Sequence, residues 1–192
     1  MARLAAQVKL EFFPTPLCVV ERVAALLTFP FDSLAHARLL DPCAGDGRAL
    51  ALLAQRLKAR FQQDCGEEAY CSLSTWGIEI QTSLARQARS RLDRVLQGNF
   101  FQTTLSWAGW QLAYLNPPYD WDQTSGERLE SAFLRRTSRL LCVEGILVFI
   151  IPQRVLREQE VAGHLATQYD QLVCFRFPDP EYEQFKQVVL LA

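Results

Sequence analysis

The chain has almost no net charge, since its 20 Lys and Arg stand against 21 Asp and Glu and leave −1 over 192 residues. That balance excludes a global electrostatic pull toward a polyanion, because phosphate binding rests on many cationic contacts. A local basic face stays open. Arg86, Arg89, Arg91 and Arg94 cluster in one segment and Arg135, Arg136 and Arg139 in another, although solvated helix faces read the same way. Metal-ligand spacing is also missing. The six cysteines, Cys18, Cys43, Cys65, Cys71, Cys142 and Cys174, form no Cys-x-x-Cys pair, and the two histidines, His36 and His164, stand alone. Zinc sites draw ligands from close pairs, so no metal is expected and the thiols read as free, as in the cytosol. No run reaches the roughly 18 apolar residues of a membrane span, and residues 1–10 carry no cleavage pattern. A cytoplasmic protein without membrane contact is expected. No internal repeat or low-complexity segment is visible.

What is present is a folded composition. Hydrophobic residues make up 49% of the chain, and its length suits one domain, somewhat above the common size of about 100 to 150 residues. Thr15 and Pro16 open a helix as N-cap and first residue, with Leu17, Val20, Val23, Ala24 and Leu27 at helical spacing. Phe12 and Phe13 precede it and are candidates to lie over a ligand. Arg38-Leu39-Leu40-Asp41 reads as a strand, Pro42-Cys43-Ala44-Gly45-Asp46-Gly47 as a turn, and Leu50, Leu53, Ala54, Leu57 and Phe61 as one helix face.

Strand, glycine turn and helix open a nucleotide-binding α/β unit, where small residues let backbone approach a ligand at the sheet edge. The dinucleotide fingerprint is absent, because its third glycine would fall on Leu50. Asp41 and Asp46 flank the turn, so a pyrophosphate would meet negative charge and a cationic ligand fits better.

A loop is expected over 62–72, then a strand Thr75-Trp76-Gly77-Ile78-Glu79-Ile80 whose terminal Glu79 suits the two hydroxyls of a ribose, or is simply a surface carboxylate. Leu84, Ala85, Ala88 and Leu92 give the next helix its inner face. A third strand begins at Val95 and ends at Asn99, whose amide matches a purine edge with Phe100 against the ring; Trp107 and Trp110 are assigned to packing in the connection that follows.

The fourth strand, Leu112-Ala113-Tyr114-Leu115, stops at Asn116-Pro117-Pro118-Tyr119. Both prolines fix φ and remove a donor, so the loop is stiff and presents Asn116 and adjacent carbonyls as acceptors beside the ring of Tyr119. Fixed acceptors beside an aromatic face suit a planar group carrying NH2. An ordinary Pro-Pro turn with Tyr119 as cover fits the same four residues. A helix with Leu129, Phe133, Leu140 and Leu141 inward follows, then a strand over 145–152, a helix over 154–169, and strands over 172–177 and 187–191.

Taken in order, Phe13-Pro14-Thr15-Pro16, the turn at residues 41–47, Gly77-Ile78-Glu79-Ile80, Gly98-Asn99-Phe100 and Asn116-Pro117-Pro118-Tyr119 make the chain resemble class I S-adenosylmethionine-dependent methyltransferases of the N6-adenine amino type. The resemblance implies a Rossmann-like, seven-stranded, mostly parallel sheet with helices on both faces and a C-terminal antiparallel hairpin. It implies one domain over 1–192, in which residues 1–30 form a cofactor-covering segment and helix and 37–192 the catalytic core. S-adenosylmethionine is the implied cofactor, held by Thr15, Asp41, Ala44, Gly45, Gly47, Glu79, Ile80, Asn99, Phe100 and Asn116. Asn116, Pro117, Pro118 and Tyr119 are the implied catalytic loop. Tyr119 also stacks on the target, and Tyr182 or Phe185, in the loop before the last strand, clamps it or merely covers the hairpin.

Position 99 is Asn where many relatives have Asp, which keeps an acceptor. No stretch is long enough for a separate target-recognition domain, so a further C-terminal segment or a partner subunit is expected to select the site. Nucleic acid is the expected partner, DNA before RNA. The loop also fits RNA bases or a protein glutamine amide, and a cofactor-binding module of a larger assembly is the alternative of another class.

Overall fold

The computed structural model describes residues 13–27, 37–66, 71–121 and 126–192. Phe12 and His36 lie outside these residues. The elements are α1 (Leu17–Leu26), β1 (Arg38–Asp41), α2 (Arg48–Cys65), β2 (Ser74–Glu79), α3 (Thr82–Ala88), β3 (Arg94–Gln97), β4 (Trp110–Leu115), α4 (Leu129–Ser138), β5 (Leu141–Pro152), α5 (Gln159–Gln168), β6 (Val173–Arg176), α6 (Glu181–Phe185) and β7 (Gln187–Leu191). Short 3-10 turns follow β3 (Phe100–Gln102) and β5 (Gln153–Arg157).

Seven strands form one sheet in the order β3-β2-β1-β4-β5-β7-β6. The first five are parallel, and β7 runs antiparallel to both β5 and β6. Alternation along the central strands divides the core between two faces. Leu39, Tyr114, Val148 and Ile150 pack with α1, α2 and Ala88 of α3, while Leu40, Ala113, Leu115, Phe149 and Ile151 pack with Phe133, Leu134 and Val161 of α4 and α5. Apolar residues on both strand faces therefore need helices on both sides, which is the Rossmann-like arrangement expected from the sequence.

The strand order reverses between β1 and β4, and ligands of open α/β sheets bind in the crevice outside the carboxyl ends of strands at such a point. Asp41 closes β1 there and Asn116 follows β4. Because β7 runs the other way, its first residue reaches the same edge, with Gln187 paired to Pro152.

Several boundaries differ from the sequence reading for local reasons. α2 continues through Cys65, because its polar last turn faces solvent, and stops at Gly66 with φ 95°. β3 ends at Gln97, and Asn99 instead caps a 3-10 turn by accepting a hydrogen bond from Phe101 N at 2.9 Å. Trp110 belongs to β4 and meets Trp76 edge-on at 5.6 Å, whereas Trp107 sits on a turn, 67% exposed, with Arg139 over its ring. β5 starts at Leu141 and pairs with Trp110 before a register shift. The helix expected over 154–169 is split at Glu158, whose ψ is 125°. Val155 is out of helical phase with Val161, so burying both requires the break. The loop before β7 contains the short helix α6.

Candidate functional site

At the end of β1, Asp41 is 3% exposed and its Oδ1 accepts the Cys43 N–H at 3.0 Å. The turn is pinned to β2 by Ala44 N–H donating to Ile78 O at 2.9 Å and Gly45 N–H donating to Glu79 Oε2 at 2.8 Å. Gly77 makes this approach possible, since a Cβ there would stand 2.8 Å from both Ala44 Cβ and Leu92 Cδ1. Gly45 and Gly47 have φ of 54° and 80°, the left-handed region that glycine enters freely. Asp46 is ion-paired with Arg48 at the start of α2.

Glu79 ends β2, buried, with its Oε1 accepting the Gln81 N–H at 2.8 Å. Burial raises the Glu79 carboxyl above its ordinary value, although the N–H groups of Gln81, Gly45 and Ile80 draw it down. Burial pushes Asp41 up to about 7, opposed by its bond to Cys43 and reinforced by the charge of Glu79. Among the described residues neither carboxylate has a cationic side chain as partner. Two buried acids in an apolar setting favour a cation arriving beside them.

After β4, hydrogen bonds fix the Asn116 amide in one orientation. Its Nδ2 donates to Phe13 O at 3.1 Å and Thr15 Oγ1 at 3.2 Å, while its Oδ1 accepts from the Tyr119 hydroxyl at 2.6 Å. The same hydroxyl accepts from Gln187 Nε2 at 2.8 Å. Cys43 Sγ donates to the main-chain carbonyl of Asn116 at 3.1 Å and joins the β1 turn to the loop. Burial raises the Tyr119 phenol well above its ordinary value, so it stays a neutral donor.

A cavity of about 620 Å³ lies across these strand ends. Of the residues singled out in the sequence, it brings together Phe13, Thr15, Asp41, Ala44, Glu79, Ile80, Asn99, Phe100, Asn116, Pro117, Pro118 and Tyr119. Gly45 and Gly47 are not in its wall: Gly45 spends its N–H on Glu79, and Gly47 faces Ala88 and Leu92, where a Cβ would meet Ala88 Cα at 3.1 Å. Phe100 is mainly core, stacked on Phe133 at 5.3 Å. Phe185 lines a second cavity beside Tyr119. Tyr182 lines neither cavity; its ring packs under the sheet with Arg176 and Lys186 over it. Sequence reading missed Gln187 and Cys43. Nothing local marks either one, because their contacts come from strand register and from the crossing of two loops.

A family model described as an uncharacterised methyltransferase family (DUF6094) matches residues 1–192. No curated protein matches the chain. Among solved structures, a class I S-adenosylmethionine-dependent methyltransferase from Listeria monocytogenes superposes with a TM-score of 0.76 at 15% identity, over 96% of this chain and 61% of that one. A type I restriction-modification system methyltransferase subunit from Streptococcus thermophilus gives 0.66 at 17% identity, over 93% of this chain and 44% of that one. The N-terminal domain of human METTL16 in complex with SAH gives 0.55 at 14% identity, over 94% and 71%. The chain thus spans less than two thirds of the Listeria protein and less than half of the Streptococcus subunit.

Proposed function

The chain belongs to the uncharacterised methyltransferase family DUF6094, and on that premise we propose that it moves a methyl group from S-adenosylmethionine to an exocyclic amino nitrogen, N6 of adenine in DNA. The observation that carries the reading is the Asn116 amide, oriented by three hydrogen bonds at the wall of a cavity that also holds two buried carboxylates without cationic partners.

The residues present fit this cofactor. When bound, it supplies a methyl group activated by a cationic sulfur. Asp41 and Glu79 provide the negative surroundings that such a cation needs. Each Glu79 oxygen accepts one backbone N–H and keeps a second lone pair for a ribose hydroxyl. Ile80 and the part of the buried Phe100 ring that lines the cavity offer apolar contact to a purine, and Asn99, whose Oδ1 is used by Phe101, retains its NH2 donors. Thr15 closes the side nearest Asn116.

On the acceptor side, an amino group conjugated to a ring is a poor nucleophile, because its lone pair is delocalised. The second lone pair of Asn116 Oδ1 and the Pro117 carbonyl accept its two N–H bonds, favour a tetrahedral nitrogen and free that lone pair. As positive charge grows on nitrogen these fixed dipoles stabilise it, without reorganisation because the prolines hold the loop. The methylated nitrogen then gives up a proton to water. The ring of Tyr119 stacks on the base, which leaves the helix first if the target is a duplex. Similarity to a restriction-modification methyltransferase subunit favours DNA among the polymers and favours a partner chain for site selection.

Incubating the protein with methyl-labelled S-adenosylmethionine and separate DNA, RNA and protein pools tests the reading. Label in DNA is expected. Label only in RNA or protein contradicts the polymer, and cofactor binding without any transfer contradicts the enzyme.

A further inference from the structure

The acidic cavity has a neighbour of opposite sign. A second cavity of about 450 Å³ meets the first at Phe13 and Tyr119, which line both. Among the described residues its remaining walls carry Arg154, Arg157, Lys186 and Phe185, and no carboxylate. Arg154 and Arg157 lie on the 3-10 turn leaving β5, at the sheet edge that holds Asn116. Three residues per turn brings side chains at i and i+3 into line. Val155 between them is completely buried and pins the turn. Both arginines are exposed, and among the described residues neither makes a side-chain hydrogen bond or an ion pair. Lys186 is braced instead, pairing with Glu183 at 2.6 Å, while its carbonyl accepts the Gln153 N–H at 2.9 Å and ties the two segments together.

Two uncommitted guanidiniums beside three aromatic rings match an anion attached to a planar base. A glutamine side chain of a protein offers neither the anion nor the π face. We propose that Arg154 and Arg157 grip the backbone phosphate next to the target nucleotide, whose base enters between Phe13, Tyr119 and Phe185, so that the acceptor is a polynucleotide strand. This rests on the amino-nitrogen reading of the Asn116 loop. Engaging few phosphates is consistent with the net charge of −1. One neutralised phosphate gives a log–log salt slope of about −0.7 on a single strand and about −0.9 on a duplex.

Fluorescence anisotropy over a salt series, with labelled DNA and RNA oligonucleotides as probes, tests the clamp. The proteins compared are wild type, R154A/R157A, and R86A/R89A, which removes the same charge from exposed positions in α3 and just after it. R154A/R157A is expected to lose about tenfold in affinity at low salt and the slope stated above. Its KM for the oligonucleotide rises while kcat and cofactor affinity hold, and R86A/R89A behaves as wild type. The probe that shows the larger loss identifies the strand. Wild-type affinity and slope in R154A/R157A, or an equal loss in R86A/R89A, overturns the clamp even where methyl transfer to the oligonucleotide is intact. Arginine-dependent binding without any transfer keeps the clamp and overturns the amino-nitrogen reading. Wild-type protein that binds neither probe overturns the clamp and leaves the amino-nitrogen reading to the labelling of the protein pool.

Discussion

The Tyr119 hydroxyl donates to Asn116 Oδ1 at 2.6 Å and itself accepts from Gln187 at 2.8 Å, so a side chain of the last strand holds the loop that follows the fourth. Tyr119→Phe keeps the ring but strands the buried Gln187 amide, which costs about 1–3 kcal/mol. Gln187→Leu added to Tyr119→Phe recovers part of that loss, because it removes the stranded donor. Urea unfolding of both single variants and the double variant checks this, and strictly additive losses would count against the contact. Methyl transfer by Tyr119→Phe stays within about tenfold of wild type, since Phe13 O and Thr15 Oγ1 still hold the Asn116 amide.

The buried Asp41 carboxyl gives a pH signature. Its native pKa of about 7 exceeds the ordinary 3.8, so the folded protein binds the extra proton between those values. Stability from this group is full below about pH 4 and is lost as pH rises through about 7. Asp41→Asn removes that loss. Thermal melts from pH 5 to 8 in the absence of ligand will show a shallower decline for the variant, with a higher Tm at pH 8. The same substitution weakens cofactor binding, because the cavity loses one of its buried carboxylates, and wild-type affinity rises with pH across the same window.

Gly77→Ala tests how closely the turn rides on β2. The new Cβ meets Ala44 and Leu92 at 2.8 Å, and relieving both contacts pushes the turn away from Glu79. A stability loss of about 1–3 kcal/mol is expected, with weaker cofactor binding by calorimetry. A variant of wild-type stability and affinity would show that the turn does not depend on this contact.

Much of this arrangement is legible in the chain before it folds. Leu39 and Leu40 are consecutive apolar residues that face opposite core layers, which marks β1 as an internal strand, and the small residues after Asp41 mark the crossing to α2. The Asn116 loop is legible because proline stiffness is local. Gln187, Arg154 and Arg157 are not, because their positions depend on an antiparallel register that pairs Gln187 with Pro152, 35 positions apart in the chain. Tyr182 and Phe185 could not be separated by sequence, since both lie in one short helix and only its packing turns Phe185 toward the cavity. That the two glycines named as cofactor-binding also serve the turn, Gly45 through Glu79 and Gly47 against Ala88 and Leu92, requires knowing where those partners stand.

The most direct measurement is mass spectrometry of nucleosides from DNA incubated with the protein and S-adenosylmethionine. It is run for wild type and for Asn116→Ala, with cofactor affinity measured in parallel. The account predicts N6-methyladenine from wild type and none from Asn116→Ala, which still binds cofactor within a few fold. Methylation at a ring carbon, or N6-methyladenine formed by Asn116→Ala at the wild-type rate, would contradict it.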